Sequence, residues 1–152
     1  MGQQAATILL LEDDREVSKL LSVVLQRQGY TVLQASNGDE ARRIGERHEG
    51  PVDLVLSDVV LGNETAASVV AALRARRPQA PVLFLSGFPL EGLFERGLLE
   101  PGFMAAGSAS FLQKPFSPDA LIREVESVLA GDGNGSAANW SKEVSSGVGC
   151  PY

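Results

Sequence analysis

Several kinds of residue and segment are scarce in this sequence, and each shortage excludes a class of protein. The 152 residues include one cysteine, Cys150, so an internal disulfide is excluded, which fits a reducing compartment. A formal net charge of -6 leaves no basic surface for the phosphate backbone of a nucleic acid. No apolar run reaches membrane-spanning length, and the first residues lack the pattern of a signal peptide. We therefore expect a cytoplasmic, single-domain protein that contacts neither nucleic acid nor membrane directly.

The densest apolar run covers residues 52–60 and carries a carboxylate, Asp58, near its end. A short run rich in valine and leucine is typical of a strand buried on both faces of a parallel sheet. Open α/β sheets bind their ligands at the carboxyl ends of such strands, which makes Asp58 the first candidate for chemistry. Asp53, at the start of the same run, is interpreted as structural.

The rest of the chain alternates between short apolar runs and amphipathic segments. Further strands are predicted over residues 7–11, 30–35, 81–85 and 109–113. Helices are predicted between Asp14 and Gly29, over residues 39–49, 67–77 and 90–99, and from Pro118 to Leu129. Asn37-Gly38 is interpreted as a turn, and residues 61–64 and 100–108 as loops. Five strands alternating with five helices predict a parallel α/β sheet with right-handed crossovers.

Local signals add detail at the helix ends and on the surface. Asp14 and Ser117 are predicted to cap the helices that follow them, with proline at the first position of the last helix. His48 could donate a phosphoryl group, but no motif supports it, and a plain surface histidine is the favoured interpretation. A basic run is interpreted as the solvated end of a helix; it consists of Arg74, Arg76 and Arg77.

Polar residues stand at the carboxyl ends of four of the five strands, and these ends share one edge of a doubly wound sheet. They are Glu12 and Asp13, Asp58, Ser86, and Lys114. Two like charges about 4 Å apart cost roughly 4 kcal/mol at an effective dielectric near 20, so three carboxylates call for a cation. Mg²⁺ prefers such oxygen ligands, and a lysine suits a phosphate oxygen. An aspartate beside Mg²⁺, a lysine and a hydroxyl predicts phosphoryl transfer to Asp58, giving an acyl phosphate.

This constellation, together with the Lys114-Pro115 pair, closely resembles the signature of two-component response-regulator receiver domains over residues 6–130. The resemblance implies a flavodoxin-like, doubly wound (βα)5 fold with a five-stranded parallel sheet in the order 2-1-3-4-5. It also implies a role for each residue of the constellation. Asp58 is the phosphoacceptor, Glu12 and Asp13 form the Mg²⁺ pocket with the backbone carbonyl of Val60, Ser86 is the switch hydroxyl, and Lys114 contacts the phosphoryl group. The peptide bond between Lys114 and Pro115 is expected to be cis.

The resemblance also bears on partners. Residues 83–88 and 111–116 are similar to the receivers of hybrid histidine kinases or to free-standing relatives of these. A histidine kinase or histidine phosphotransfer protein is then the expected donor. A downstream protein partner is expected at the face formed by the fourth helix and fifth strand, and a phosphorylation-dependent homodimer is compatible with the family.

The sequence departs from the family pattern at three places. Residues 61–63 are Leu-Gly-Asn where the family usually has Met-Pro-Gly, and Ala66 replaces a common glycine. Phe111 stands at the position of a switch aromatic that is often tyrosine, so it lacks the hydroxyl. The segment from residue 103 to residue 110 is longer than usual, and residues 131–152 are predicted to form a flexible tail rich in glycine and serine.

Two alternatives remain open from the sequence. One is a pseudo-receiver, a protein-binding module that uses the fold without phosphorylation. The other is a small Mg²⁺-dependent phosphatase, which would need a substrate-binding cap that the sequence does not offer. Whether the chain counts as an enzyme is open, since a receiver catalyses its own phosphorylation and dephosphorylation without turnover of a separate substrate.

Overall fold

A five-stranded parallel sheet with helices on both faces forms the body of the protein in the computed structural model, which describes residues 5–62, 64–77, 80–105 and 109–131. In chain order the elements are β1 (Thr7–Leu11), α1 (Arg15–Arg27), β2 (Thr31–Ala35), α2 (Gly38–Arg47), β3 (Leu54–Asp58), β4 (Val60–Leu61), β5 (Glu64–Thr65), α3 (Ala66–Arg76), β6 (Val82–Ser86), α4 (Leu90–Glu95), α5 (Pro101–Ala105), β7 (Ala109–Gln113) and α6 (Pro118–Leu129). The predicted tail lies outside the described residues from residue 132 onward.

The sheet has the order β2-β1-β3-β6-β7, and all its neighbouring strands are parallel. This is the predicted order 2-1-3-4-5 when only the strands of this sheet are numbered, so the fold prediction is confirmed. The three inner strands are buried along their whole length. The order places Asp58 on the central strand, with β1 on one side and β6 on the other.

Two hydrophobic layers explain why the inner strands read as continuous apolar runs. Alternate residues of β1 point to opposite faces of the sheet, so Leu9 belongs to one buried cluster and Leu10 to the other. The first cluster joins the sheet to the helices α2 to α5, and the second joins it to α1 and α6. A strand between two such layers has no polar face, which is the reason that its period of two disappears.

Both predicted N-caps are confirmed. The Oδ1 of Asp14 accepts from the backbone N–H groups of Glu16 at 3.0 Å and Val17 at 3.2 Å. The Oγ of Ser117 accepts from the N–H of Ala120 at 3.0 Å. Each side chain therefore satisfies amides that the first helical turn leaves without an intrahelical acceptor.

Asn37-Gly38 is not a turn, contrary to the prediction. Asn37 is the N-cap of α2, with its Oδ1 accepting from Glu40 N–H at 2.8 Å, and Gly38 is the first residue of the helix. Asparagine favours both turns and N-caps because its short side chain can accept from nearby backbone amides, so the two meanings look alike in a sequence.

The segment after β6 also differs from its prediction. The fourth helix ends at Glu95 instead of residue 99, and Gly97 follows it in a left-handed conformation at φ 70°. A second short helix, α5, begins at Pro101 within the predicted loop. The described residues therefore contain six helices instead of five, and the predicted loop over 61–64 carries the small β4–β5 hairpin.

The basic run at the end of α3 is not simply solvated. The guanidinium of Arg77 donates to the backbone carbonyl of Gly50 at 2.8 Å, to that of His48 at 2.6 Å and to that of Gly45 at 3.1 and 3.3 Å. These carbonyls lie at the C-terminal end of α2 and in the segment that follows it. Arg77 thus ties α3 to the connection between α2 and β3.

In the portions of the chain that the structure describes, no helix combines the length and the apolar character that crossing a bilayer requires.

Candidate functional site

The candidate site is built where four strands end at one edge of the sheet. Asp58 is the last residue of β3 and Ser86 the last of β6, while Glu12 follows β1 and Lys114 follows β7. Backbone hydrogen bonds continue the pairing beyond the strands: the Lys114 N–H donates to the Ser86 carbonyl at 2.7 Å. The topology therefore brings together residues that are far apart in the sequence.

Three carboxylates form the floor of the site. Oxygens of Glu12, Asp13 and Asp58 all lie within 4.8 Å of one another. Glu12 is 2% exposed and Asp58 8% exposed, whereas Asp13 is open to solvent. The donor set consists of oxygen atoms alone, which suits a hard cation such as Mg²⁺ and excludes a preference for soft metals.

Lys114 holds the two buried carboxylates. Its Nζ lies 2.7 Å from Asp58 Oδ1 and 3.4 Å from Glu12 Oε1. Burial alone lowers the pKa of this ammonium, but the hydrogen bond and charge of Asp58, and then Glu12, outweigh burial, so the pKa is raised. Lys114 is therefore firmly charged, and its position lets one cation reach both acids.

Glu12 has the most perturbed carboxyl of the site. Burial, followed by a hydrogen bond with Asp58 and by the negative charge of Asp58, raises the pKa of Glu12 to about 7. The N–H of Asp14, donating to Glu12 Oε2 at 3.1 Å, and the charge of Lys114 act in the opposite direction without cancelling the shift. Near neutral pH, without a metal, the buried pair holds one proton on Glu12 for part of the time, which relieves its repulsion with Asp58.

Ser86 and Val60 lie at the same edge, but neither is part of the carboxylate cluster. The Ser86 Oγ accepts from the backbone N–H of Phe88 at 2.9 Å, and a hydroxyl that accepts a hydrogen bond can also donate one. Val60 is exposed and begins the β4–β5 hairpin just after Asp58. Phe111, the predicted switch aromatic, is buried and lies opposite Phe84 in the register of β6 and β7.

Two smaller predictions are also resolved. The peptide bond between Lys114 and Pro115 is cis, as the resemblance implied. Asp53 is structural, because its Oδ2 accepts from the backbone N–H of Thr7 at 2.7 Å at the opposite end of the sheet.

An ion pair that no sequence pattern indicates lies beside the acceptor strand. Arg42 on α2 binds the carboxylate of Glu64, which lies in the hairpin after Asp58. The two residues are 22 positions apart, and neither follows a strand of the main sheet, so no motif or helical spacing connects them. Their contact depends on how the hairpin packs against α2.

A family model described as response regulator receiver domain matches residues 8–126. This match covers well over half of the chain, and the protein therefore belongs to the response regulator receiver domain family. The family assignment agrees with the fold and with the position of the acidic cluster.

Curated relatives of this chain are sensor and regulatory proteins. Sensor kinase CckA of Brucella abortus (strain 2308) is 38% identical over 125 residues, which are 82% of this chain and 13% of that protein. The alkaline phosphatase synthesis transcriptional regulatory protein PhoP of Bacillus subtilis (strain 168) is 33% identical over 122 residues, 80% of this chain and 48% of that protein. The chain thus spans less than half the length of these relatives.

Solved structures that are similar to this chain include receiver domains. The crystal structure of the receiver domain from hybrid histidine kinase CckA has a TM-score of 0.66 and 31% identity, covering 82% of this chain and 99% of that one. Chemotaxis protein CheY4 of Vibrio cholerae has a TM-score of 0.69 and 27% identity, covering 82% of this chain and 98% of that one. The predicted similarity to receivers of hybrid histidine kinases is confirmed.

Proposed function

We propose that Asp58 accepts a phosphoryl group from a phosphohistidine of a histidine kinase or histidine phosphotransfer protein, with Mg²⁺ bound beside it. The observation that carries the proposal is the contact of Lys114 Nζ with Asp58 Oδ1 at 2.7 Å, next to two further carboxylates within 4.8 Å. A structural acid at a strand end needs one partner. A lysine shared between buried acids, in an all-oxygen pocket, suits the transfer of a charged group.

The proposed reaction forms one bond and breaks another. A carboxylate oxygen of Asp58 attacks the phosphorus, the P–N bond to the donor imidazole breaks, and the imidazole nitrogen takes up a proton. Glu12, Asp13, Asp58 and the Val60 carbonyl would hold Mg²⁺, which when bound neutralises charge on the transferring group. The Lys114 ammonium, which contacts the Asp58 carboxylate before the transfer, would then contact a phosphoryl oxygen. Water later attacks the phosphorus, the bond between phosphorus and the Asp58 oxygen breaks, and inorganic phosphate leaves the regenerated carboxylate.

Ser86 provides the proposed link from phosphate to the surface. Its oxygen accepts from Phe88 N–H, and its hydroxyl can donate to a phosphoryl oxygen, so turning toward the phosphate would disturb the bond to Phe88. The Phe88 ring is 43% exposed, and the Arg96 guanidinium carbon lies 4.4 Å from its centroid. A change at Ser86 would therefore affect Phe88, which precedes α4, and through its ring Arg96, which follows α4.

The proposal includes where the protein acts and with whom. We expect a cytoplasmic receiver domain over residues 6–130, a flexible segment over 131–152, and a downstream protein partner at the face of α4 and β7. A homodimer that forms on phosphorylation fits the same face. The net charge of -6 argues against direct contact with nucleic acid.

Incubation with acetyl phosphate and Mg²⁺ tests the acceptor directly. We expect the intact mass to increase by one phosphoryl group, and the modification to be removed by hydroxylamine, as an acyl phosphate is. Asp58→Asn should abolish the increase, and chelation of Mg²⁺ should prevent it. Asp119→Asn, which changes an exposed acid in the first turn of α6, is the matched control and should behave like the wild type. An unmodified wild type with an intact fold would favour the pseudo-receiver instead.

A further inference from the structure

The hairpin that follows Asp58 is held from outside by an ion pair with α2. The Nη2 of Arg42 binds Oε2 of Glu64, while its Nη1 contacts Asp39 Oδ1 at 2.9 Å. The side chains of Arg42 and Glu64 are about two-thirds buried, whereas that of Asp39 is 84% exposed. The contact with Glu64 is thus the sheltered one, and the contact with Asp39 is a surface pair.

Gly38 makes room for this ion pair. A Cβ placed on Gly38 would overlap with Oε1 of Glu64, closer than real Cβ contacts come. The carboxylate therefore occupies the space that a side chain would take at the first residue of α2. The amino end of a helix also favours negative charge, because its first amides lack intrahelical acceptors. Shape and charge thus both favour Glu64 at this position.

A short path of backbone contacts leads from Glu64 to the acceptor. In the hairpin, Glu64 pairs with Leu61, and Thr65 pairs with Val60. At its base the Ala66 N–H donates to the Val59 carbonyl at 2.7 Å. Only Val59 separates Asp58 at the end of β3 from Val60 at the start of the hairpin, so the position of Glu64 restrains the peptide that carries the Val60 carbonyl.

We propose that Arg42, Glu64 and Gly38 act as positioning residues that fix the Val60 carbonyl for the Mg²⁺ beside Asp58. We call the Arg42–Glu64 pair seated on Gly38 the brace. The inference rests on the proposed function, since it assigns the brace to the same metal site. It implies that the brace sets how tightly Mg²⁺ binds and, through this, how fast Asp58 is phosphorylated and loses phosphate.

Charge alone would give a different result from the brace, which makes the proposal testable. Arg42→Gln removes a positive charge near a cation site, so a pure field effect would strengthen Mg²⁺ binding. The brace predicts weaker binding, because the hairpin loses its anchor. Gly38→Ala changes no charge and replaces glycine by a better helix former, yet it pushes the Glu64 carboxylate out of its place. The brace predicts weaker binding here as well.

Mg²⁺ affinity of the full chain, measured by isothermal titration calorimetry, gives the first readout. We expect Arg42→Gln, Glu64→Gln and Gly38→Ala each to weaken Mg²⁺ binding by roughly tenfold, the effect typical of losing a group that orients a metal ligand. The double variant of Arg42 and Glu64 should lose no more than either single variant. Asp39→Asn, which removes only the surface partner of Arg42, is the matched control and should bind Mg²⁺ like the wild type.

Hydrogen exchange in the absence of metal gives the second readout. The Ala66 amide should exchange faster in the three brace variants, while amides in the inner strands stay as protected as in the wild type. If one variant fails to fold, the other two still decide the matter. Unchanged Mg²⁺ affinity and unchanged Ala66 exchange would overturn the brace, and so would tighter Mg²⁺ binding by Arg42→Gln.

The two proposals fail in different ways. If the brace is wrong, the wild type still binds Mg²⁺ and takes up phosphate on Asp58, and the variants do the same. If the proposed function is wrong, no phosphoryl group reaches Asp58 in any variant, while hydrogen exchange at Ala66 still reports whether the brace holds the hairpin.

Discussion

Glu12 shows how a single buried carboxyl links stability to pH. Burial and Asp58 raise its pKa from 4.5 to about 7. Between these values the folded protein keeps a proton that the unfolded chain has lost. The contribution to stability is therefore fully present below pH 4.5 and is lost as pH rises through 7. At 1.36 kcal/mol for each pKa unit, the shift corresponds to about 3 kcal/mol.

We predict that the free energy of unfolding of the metal-free protein falls by up to about 3 kcal/mol between about pH 5 and about pH 8, compared with the Glu12→Gln variant. Glutamine reproduces the shape of the protonated acid without titrating. Urea unfolding of both proteins with a chelator present measures the difference. Parallel pH profiles for the two proteins would contradict the assignment of this effect to Glu12.

The residues of the site differ in how readily they can be predicted from the sequence. Glu12, Asp58 and Lys114 each follow or end a recognisable apolar run, and the parallel order of the strands then places them at one edge. Arg42 and Glu64 could not be found in this way. Their contact depends on the packing of a two-residue strand against a helix, and the absence of a side chain at Gly38 allows it.

At the scale of elements, Arg77 connects α3 to the C-terminal end of α2 and to the segment that follows α2. Its guanidinium donates to backbone carbonyls at the C-terminal end of α2, where the helix itself supplies no N–H donors. We predict that Arg77→Ala lowers the free energy of unfolding by about 2 to 3 kcal/mol, since hydrogen bonds to charged groups are worth about 1.5 to 3 kcal/mol. Arg77→Lys should recover only part of this, because an ammonium lacks the planar fork.

Urea unfolding measures the effect, and a neighbouring residue provides the control. Arg76 lies one position earlier and is exposed. Arg76→Ala should change the free energy of unfolding by less than about 0.5 kcal/mol. Equal losses for the two alanine variants would mean that the interpretation of Arg77 as a tie between helices is wrong.

Helix ends were more predictable than the segment between β6 and β7. Asp14 and Ser117 could be assigned from the sequence because an N-cap depends on the side chain and the next three amides. The bounds of α4 and α5 depend on tertiary packing, since helices of six and five residues are too short to be stable alone. Leu93 and Met104, buried in the same cluster, hold these two helices against the sheet.

At the scale of the whole molecule, the two hydrophobic layers extend as far as α6 within the part of the chain that the structure describes. The last core residue of the second layer is Val128, with Leu129 packed against it, and Gly131 follows at φ 89°. We predict that a protein truncated after Gly131 keeps its urea midpoint and its free energy of unfolding within about 1 kcal/mol of the full chain. A clearly lower midpoint would show that residues beyond 131 pack on the body.

The most distant contact of the site has a consequence for how the chain becomes competent. Lys114 Nζ and Glu12 Oε1 are 3.4 Å apart in space and 102 residues apart in the sequence. During synthesis, Glu12 and Asp58 leave the ribosome long before Lys114, the residue whose charge offsets theirs. Until β7 docks, the carboxylates repel each other with no cation from the protein between them. Under the proposed function, Asp58 therefore gains the lysine that transfer of a phosphoryl group needs only when β7 has joined the sheet.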